Sequence, residues 1–177
     1  MQLHLIRHTK VDLPPSTCYG YSDVPLLKNW EKEADEIVQQ LMFNSNPLVY
    51  SSPLSRCSLL AKKISDQVIT DDRLKELNFG TWELKPWDEI NGKHAEKWMN
   101  NYVETPCPDG ESYIDLSVRV RSFLSDLLKT NNDEAIIVSH AGVIRVIVSI
   151  VQNIPLDKSF EISVAHGQII SIQILSV

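Results

Sequence analysis

Apolar residues follow two spacings along this chain. Short runs, Leu3-His4-Leu5-Ile6, Leu48-Val49-Tyr50, Val68-Ile69 and Ala135-Ile136-Ile137-Val138, each give way to a polar cluster, the pattern of strands buried on both faces. Between them apolar positions recur every three or four residues: Leu27, Trp30, Ala34, Ile37 and Leu41, then Leu54, Cys57, Ala61 and Ile64, then Leu116, Val120, Phe123 and Leu127. These are amphipathic helices. Pro53 suits the first turn of the second, and Asn131-Asn132 marks the end of the third, predicted over 111–128. A further helix is expected over 143–151, ended before Pro155, and then strands over 160–164 and 168–175. The last alternates partly and suits a sheet edge. A polar, proline-bearing loop covers 11–25. The stretch 71–110, with Trp82, Trp87 and Trp98, reads as short helices over loops, an excursion above the sheet.

Strands alternating with helices predict an α/β fold: three-layer α/β/α, with a mostly parallel sheet, an antiparallel edge strand and right-handed crossovers. The chain has 177 residues, of which 43% are hydrophobic, enough for one substantial core. No repeat, low-complexity tract or linker divides it, so a single domain over 1–177 is expected. The net charge of -6 argues against nucleic acid or an anionic membrane as a partner, and any anion site must be local. The longest apolar stretch, 135–151, is broken by Ser139, His140 and Arg145 and falls short of a membrane span. The start Met1-Gln2-Leu3-His4 carries no export signal, and Cys18, Cys57 and Cys107 form no metal or redox motif. A cytoplasmic location without structural disulfides is expected.

The candidate chemistry sits where apolar runs end. His8 follows the first run and His140 the fourth, and strand ends of this kind open onto a ligand crevice. Arg7 and His8 serve one site only if the chain leaves the strand at about Arg7, because neighbouring strand side chains face opposite ways. On their own residues, they read equally as a surface cation and a hydrogen-bonded structural histidine. Arg56 falls in the first turn of a helix, where a cation is disfavoured unless an anion lies between it and the free amides. Gly142 allows close backbone approach after His140. Two carboxylates, Glu76 and Glu83, compete as proton donor, and spacing does not choose between them. No metal set, Walker loop or dinucleotide fingerprint is present, so no metal and no cofactor is expected.

Four segments in order, Arg7-His8, Ser51-Ser52-Pro53-Leu54-Ser55-Arg56, Leu74-Lys75-Glu76-Leu77-Asn78-Phe79-Gly80-Thr81-Trp82-Glu83 and Ser139-His140-Ala141-Gly142-Val143-Ile144-Arg145, resemble the histidine phosphatase superfamily, the phosphoglycerate-mutase-like fold. The resemblance implies a metal-independent phosphomonoesterase acting on a small-molecule phosphate ester. It makes His8 the nucleophile, Glu76 the proton donor, and Arg7, Arg56 and His140 the groups that hold the phosphoryl oxygens. It leaves Glu83 structural and Arg145 a salt-bridge candidate, and gives no context to His4, His94 or His166. Thr9 departs from the glycine usual after Arg-His, and an asparagine often found some residues later has no counterpart. Within the superfamily, Leu5-Ile6-Arg7-His8-Thr9 with the loop Cys18-Tyr19-Gly20-Tyr21-Ser22-Asp23-Val24-Pro25-Leu26 looks most like alpha-ribazole phosphatases, which remove the 5′-phosphate of alpha-ribazole phosphate in cobalamin nucleotide-loop assembly. The Tyr19 to Asp23 loop reads equally as the substrate side, with Gly20 and Ser22 near the phosphate, and as a scaffold turn; Ala141 is a further substrate-binding candidate. Alternatives are another small histidine phosphatase acting on a sugar phosphate, a nucleotide or a protein phosphohistidine, a mutase-like enzyme, and an inactive phosphate-binding module.

Overall fold

A computed structural model describes residues 1–41 and 47–176. The chain runs β1 (Gln2–Arg7), α1 (Trp30–Gln40), β2 (Leu48–Ser51), α2 (Ser55–Ile64), β3 (Val68–Thr70), α3 (Lys93–Asn100), α4 (Tyr113–Leu128), β4 (Glu134–Ser139), α5 (Ala141–Gln152) and β5 (Ile169–Gln173). The strands form one sheet in the order β3-β2-β4-β1-β5. Every neighbouring pair is parallel except β1 with β5, so the antiparallel strand lies at the edge.

The pleat sorts the apolar runs into two cores. Leu3, Leu5, Tyr50, Ala135 and Ile137 pack with Leu116, Val120, Phe123, Val143 and Ile147 of α4 and α5. Ile6, Val49, Ile136 and Val138 pack with Ala34, Ile37, Cys57, Leu60 and Ala61 of α1 and α2. This is the expected three-layer arrangement, and it buries β4 along its whole length. Register then aligns the strand ends: Arg7 pairs with Ser139, Ser51 with Val138, and Ile6 with Ile169 at the start of β5. The residues just past β1, β2 and β4, and those just before β5, therefore meet along one edge of the sheet.

Among the described residues no helix is long and apolar enough to cross a membrane, and Cys18, Cys57 and Cys107 are buried free thiols. The stretch 71–110 contains α3 and three single 3-10 turns, at Asp72–Leu74, Gly80–Trp82 and Trp87–Glu89. It is pinned by ring contacts running from Phe79 through Trp87 and Trp98 to Tyr102 and Tyr113, with centroids 5.5 to 6.1 Å apart.

Three local expectations need correction. The strand predicted over 160–164 is absent, because Leu156–Glu161 winds as a 3-10 helix entered from Pro155. Ser159 is buried there and its hydroxyl bonds Tyr113 Oη, an anchor that the apolar residues nearby do not reveal. Pro53 lies outside α2, which starts at Ser55 with Leu54 as its extended N-cap. Helix α5 starts two residues earlier than predicted, at Ala141, with His140 itself as N-cap.

Candidate active site

The aligned strand ends form the floor of a cavity of about 240 Å³ lined by Arg7, His8, Thr17, Tyr19, Arg56, Glu76, Phe79, Trp87, His140 and Arg145. The chain leaves β1 after Arg7, so Arg7 and His8 both reach it, as the sequence requires of one site. The His8 and His140 rings lie edge to face with centroids 5.2 Å apart.

Hydrogen bonds fix the tautomers. His8 Nδ1 lies 2.7 Å from the Thr9 carbonyl oxygen, which can only accept, so the ring proton sits on Nδ1 and Nε2 keeps its lone pair. Burial, with the Arg56 charge adding to it, holds the His8 imidazole well below its ordinary pKa and hence neutral. His140 is held down in the same order of causes. Its Nδ1 accepts from Arg56 Nε at 3.3 Å, so its proton is on Nε2, which donates to Ser52 Oγ at 2.8 Å.

Arg56 is fully buried, and among the described residues no carboxylate forms an ion pair with it. Its Nη1 and Nη2 donate to the Ser22 and Gly20 carbonyls, and its guanidinium lies 5.3 Å from the Tyr19 ring centroid. Arg7 donates from Nη1 to the Val164 carbonyl at 2.6 Å and from Nη2 to His166 Nε2 at 3.0 Å, while its Nε is buried without a partner. Buried cations without carboxylates are costly unless an anion joins them. The contrast within the same molecule is with Arg73 and Arg119, which pair with Asp71 and Glu111.

Glu76 faces the cavity from the polar excursion. Its Oε1 accepts from the Leu77 amide and its Oε2 from the Gly142 amide in the first turn of α5, both at 3.0 Å. A side chain at Gly142 would collide with Glu76 Oε1, which is why a glycine stands there. Behind Glu76, Arg119 of α4 donates to the carbonyls of Arg73, Lys75 and Glu76 while paired with Glu111.

The sequence of the chain matches the model of the histidine phosphatase superfamily (branch 1) over residues 3–176. It belongs to the histidine phosphatase superfamily. Phosphoserine phosphatase 1 of Hydrogenobacter thermophilus is 29% identical over 167 residues, 89% of this chain and 79% of that one. The crystal structure of the alpha-ribazole phosphatase from Shigella flexneri superposes with a TM-score of 0.88 at 26% identity, over 99% of this chain and 91% of that one. That of a phosphoserine phosphatase from Entamoeba histolytica superposes with a TM-score of 0.83 at 29% identity, over 96% and 89%.

Of the residues singled out from sequence, this histidine phosphatase fold brings Arg7, His8, Arg56, Glu76 and His140 into one cavity. Gly20 and Ser22 are not in its lining: their amides donate to Glu83 and their carbonyls accept from Arg56, so they brace the arginine from behind. Ala141 opens α5 next to His140 and is likewise outside the lining. Glu83 is structural, accepting from the amides of Gly20, Tyr21, Ser22 and Phe79. Arg145 is not the salt-bridge residue expected: it lines the cavity, and among the described residues no carboxylate pairs with it.

His166 is the residue that sequence reasoning missed. Its ring centroid is 5.3 Å from that of His8, it accepts from Arg7, and burial pushes its pKa down to about 4. Its position follows from β5 being antiparallel, which brings the start of that strand to the edge where the parallel strands end. His4 pairs with Ser171 and Glu134, and His94 with the Pro106 carbonyl, both away from the cavity.

Proposed function

We propose that the chain is a metal-independent phosphomonoesterase working through a phosphohistidine on His8. The observation that carries this reading is a neutral imidazole with its proton fixed on Nδ1, set in one cavity with Arg7 and Arg56, neither of which pairs with a carboxylate among the described residues. Such a site has a nucleophile and a place for a dianion.

In the first step His8 Nε2 attacks phosphorus, the bond from phosphorus to the ester oxygen breaks, and Glu76 gives its proton to the departing alcohol. In the second, the Glu76 carboxylate takes a proton from water, the resulting hydroxide attacks phosphorus, and the P–N bond breaks to release inorganic phosphate and His8. Arg7 and Arg56 balance the charge on the phosphoryl oxygens. The His140 Nε2 proton, held by the neutral Ser52 hydroxyl, gains a stronger partner when it moves to a charged phosphoryl oxygen. The half-apolar cavity, with Phe79 and Trp87 in its wall, limits water around these charges.

A second reading narrows the substrate to alpha-ribazole 5′-phosphate. It is supported by the likeness of the loop 18–26 and by the flat walls of Phe79, Trp87 and Tyr19, which suit an aromatic heterocycle. The cavity is below the roughly 300 Å³ at which sites for larger ligands begin, which favours a more compact ester in its enclosed part.

The test is release of inorganic phosphate from p-nitrophenyl phosphate in excess EDTA. The wild-type protein turns over, His8→Ala does not, and an acid-labile phosphoryl group is trapped on the wild type alone. Turnover that persists in His8→Ala refutes the mechanism, and a folded wild type that binds phosphate esters without hydrolysing any is a binding module instead. A panel of esters ranked by kcat/KM decides the second reading, which fails if alpha-ribazole phosphate is no better than the aryl ester.

A further inference from the structure

We propose that the cleft between α4 and the C-terminal end of α5 is a second binding site, taking a small organic anion with an apolar body and a polar group at its far end. It is separate from the catalytic cavity and does not rest on the phosphomonoesterase reading.

The cleft has a volume of about 340 Å³, larger than the catalytic cavity and within the range of sites for small organic ligands. Ser117 and Arg121 line it from α4, Ser149 and Asn153 from the last turn of α5 and its cap, and Ile154 and Leu156 from the chain beyond. His140 caps the opposite end of α5, so Ser149 lies nine residues on and about 13 Å along the helix axis from it.

Ser149 is the residue that asks for a ligand. It is 2% exposed, and its hydroxyl has no hydrogen-bond partner among the described residues. Its carbonyl is in use, accepting from the amides of Asn153 and Ile154 where the helix closes. A helical serine commonly returns its hydroxyl to a carbonyl one turn back; this one lines the cleft instead. An unpaired buried hydroxyl is costly, and a polar atom of a bound molecule removes that cost.

Arg121 sets the sign of charge. It is the one charged side chain lining the cleft among the described residues. Neither carboxylate of α4 is left for it, since Asp115 closes the capping box with Ser112 and Asp126 pairs with Arg73 and Lys129. Arg121 and Asn153 also border a neighbouring groove, which puts them at one end of the cleft and Ser117, Ser149 and Leu156 at the other. This order fits a ligand whose anionic group meets the Arg121 fork, whose body covers Ile154 and Leu156, and whose polar end reaches the Ser149 hydroxyl. The partial negative charge at the end of α5 works against a bare inorganic anion, so the apolar body is needed as well.

The probe is 4-hydroxybenzoate, titrated by calorimetry into the full chain with excess sulfate present for the catalytic cavity, and followed by the backbone amide signals of residues 149–156. Benzoate lacks the polar end, and 4-hydroxybenzamide lacks the charge. Saturable binding that shifts those signals is expected, weaker by about threefold for benzoate and by about tenfold or more for 4-hydroxybenzamide. Arg121→Met is expected to weaken 4-hydroxybenzoate by about tenfold or more and Ser149→Ala by about threefold, with the sulfate-dependent rise in melting temperature unchanged in both. Ser149→Ala alone is expected not to lower the melting temperature, because it removes no hydrogen bond. A melting temperature that falls with Ser149→Ala shows a hydroxyl bonded within the helix and overturns the proposal. So does the absence of saturable binding, binding that sulfate displaces, or an affinity unchanged in Arg121→Met.

Discussion

Gly142 is where a single added atom decides whether the proton donor fits. Its amide holds Glu76 Oε2, and a Cβ there would collide with Oε1 of the same carboxylate. Gly142→Ala is expected to displace Glu76 and lower kcat about a hundredfold, with KM and the melting temperature changing little; an unchanged kcat would show that Glu76 is not held for catalysis. The two glutamates that sequence spacing leaves undecided separate in the same way. Glu83 accepts four backbone amides and has no place in the cavity lining, so Glu83→Gln is expected to cost about 1 to 3 kcal/mol of stability. Glu76→Gln is expected to leave stability nearly intact and to slow turnover, more for alkyl than for aryl esters, whose good leaving groups need less protonation. Thermal melts read beside kcat on both ester types check the pair. Equal effects of the two changes would contradict the division of roles.

Elements were the most legible level of this chain, and the failures have physical causes. Helices α1, α2, α4 and α5 and strands β1, β2 and β4 follow from periodicity, because each buries one face or both against a neighbour, whereas β3 is short and largely exposed and was legible only as an apolar pair. The 160–164 segment has the composition of a strand but starts inside the 3-10 helix Leu156–Glu161, and its anchors are a Ser159 to Tyr113 hydrogen bond and the Arg145 bond to Ile162, which only the folded chain brings together. Likewise His8, Arg56 and His140 were legible from motifs at strand ends, whereas His166 and Arg145 depend on how β5 and the 3-10 helix return to the cavity. Helix α4 carries a further support with no sequence signal: Arg119 donates to three carbonyls of the Glu76 segment. Arg119→Met is expected to lower kcat and the melting temperature together, since it leaves three carbonyls short of a donor and Glu111 short of a cation. By comparison, Ser112→Ala removes only the capping box of α4 and is expected to cost about 1 kcal/mol, or roughly 2 to 4 °C in a chain of this size, with kcat unchanged. A fall in kcat with Ser112→Ala as large as with Arg119→Met would place the effect in the helix as a whole rather than in the carbonyl contacts.

At the scale of the molecule, an acidic chain concentrates unpaired cations and neutral imidazoles in one place, and this makes its stability depend on pH in a defined direction. The pKa values of His8, His140 and His166 are all depressed by folding, the last to about 4. In the unfolded chain these rings take up protons as pH falls through about 6.5, while in the folded protein they do not until well below it. Stability is therefore full above about 6.5 and is lost as pH falls towards the folded values, each of the two fully buried rings costing about 1.4 kcal/mol per pH unit in that window. The loss expected between 6.5 and 5 is the contribution of these three histidines. His166→Asn is expected to flatten it by removing one of the three. A tetrahedral dianion reverses the sign, because it favours the imidazolium form of the rings beside it. Sulfate keeps its double charge through this range and serves as the probe: the rise in melting temperature it produces at fixed concentration is expected to be larger at pH 5 than at pH 8. A sulfate effect independent of pH, or one that survives undiminished in His8→Ala, would mean that the anion binds elsewhere than among these three imidazoles.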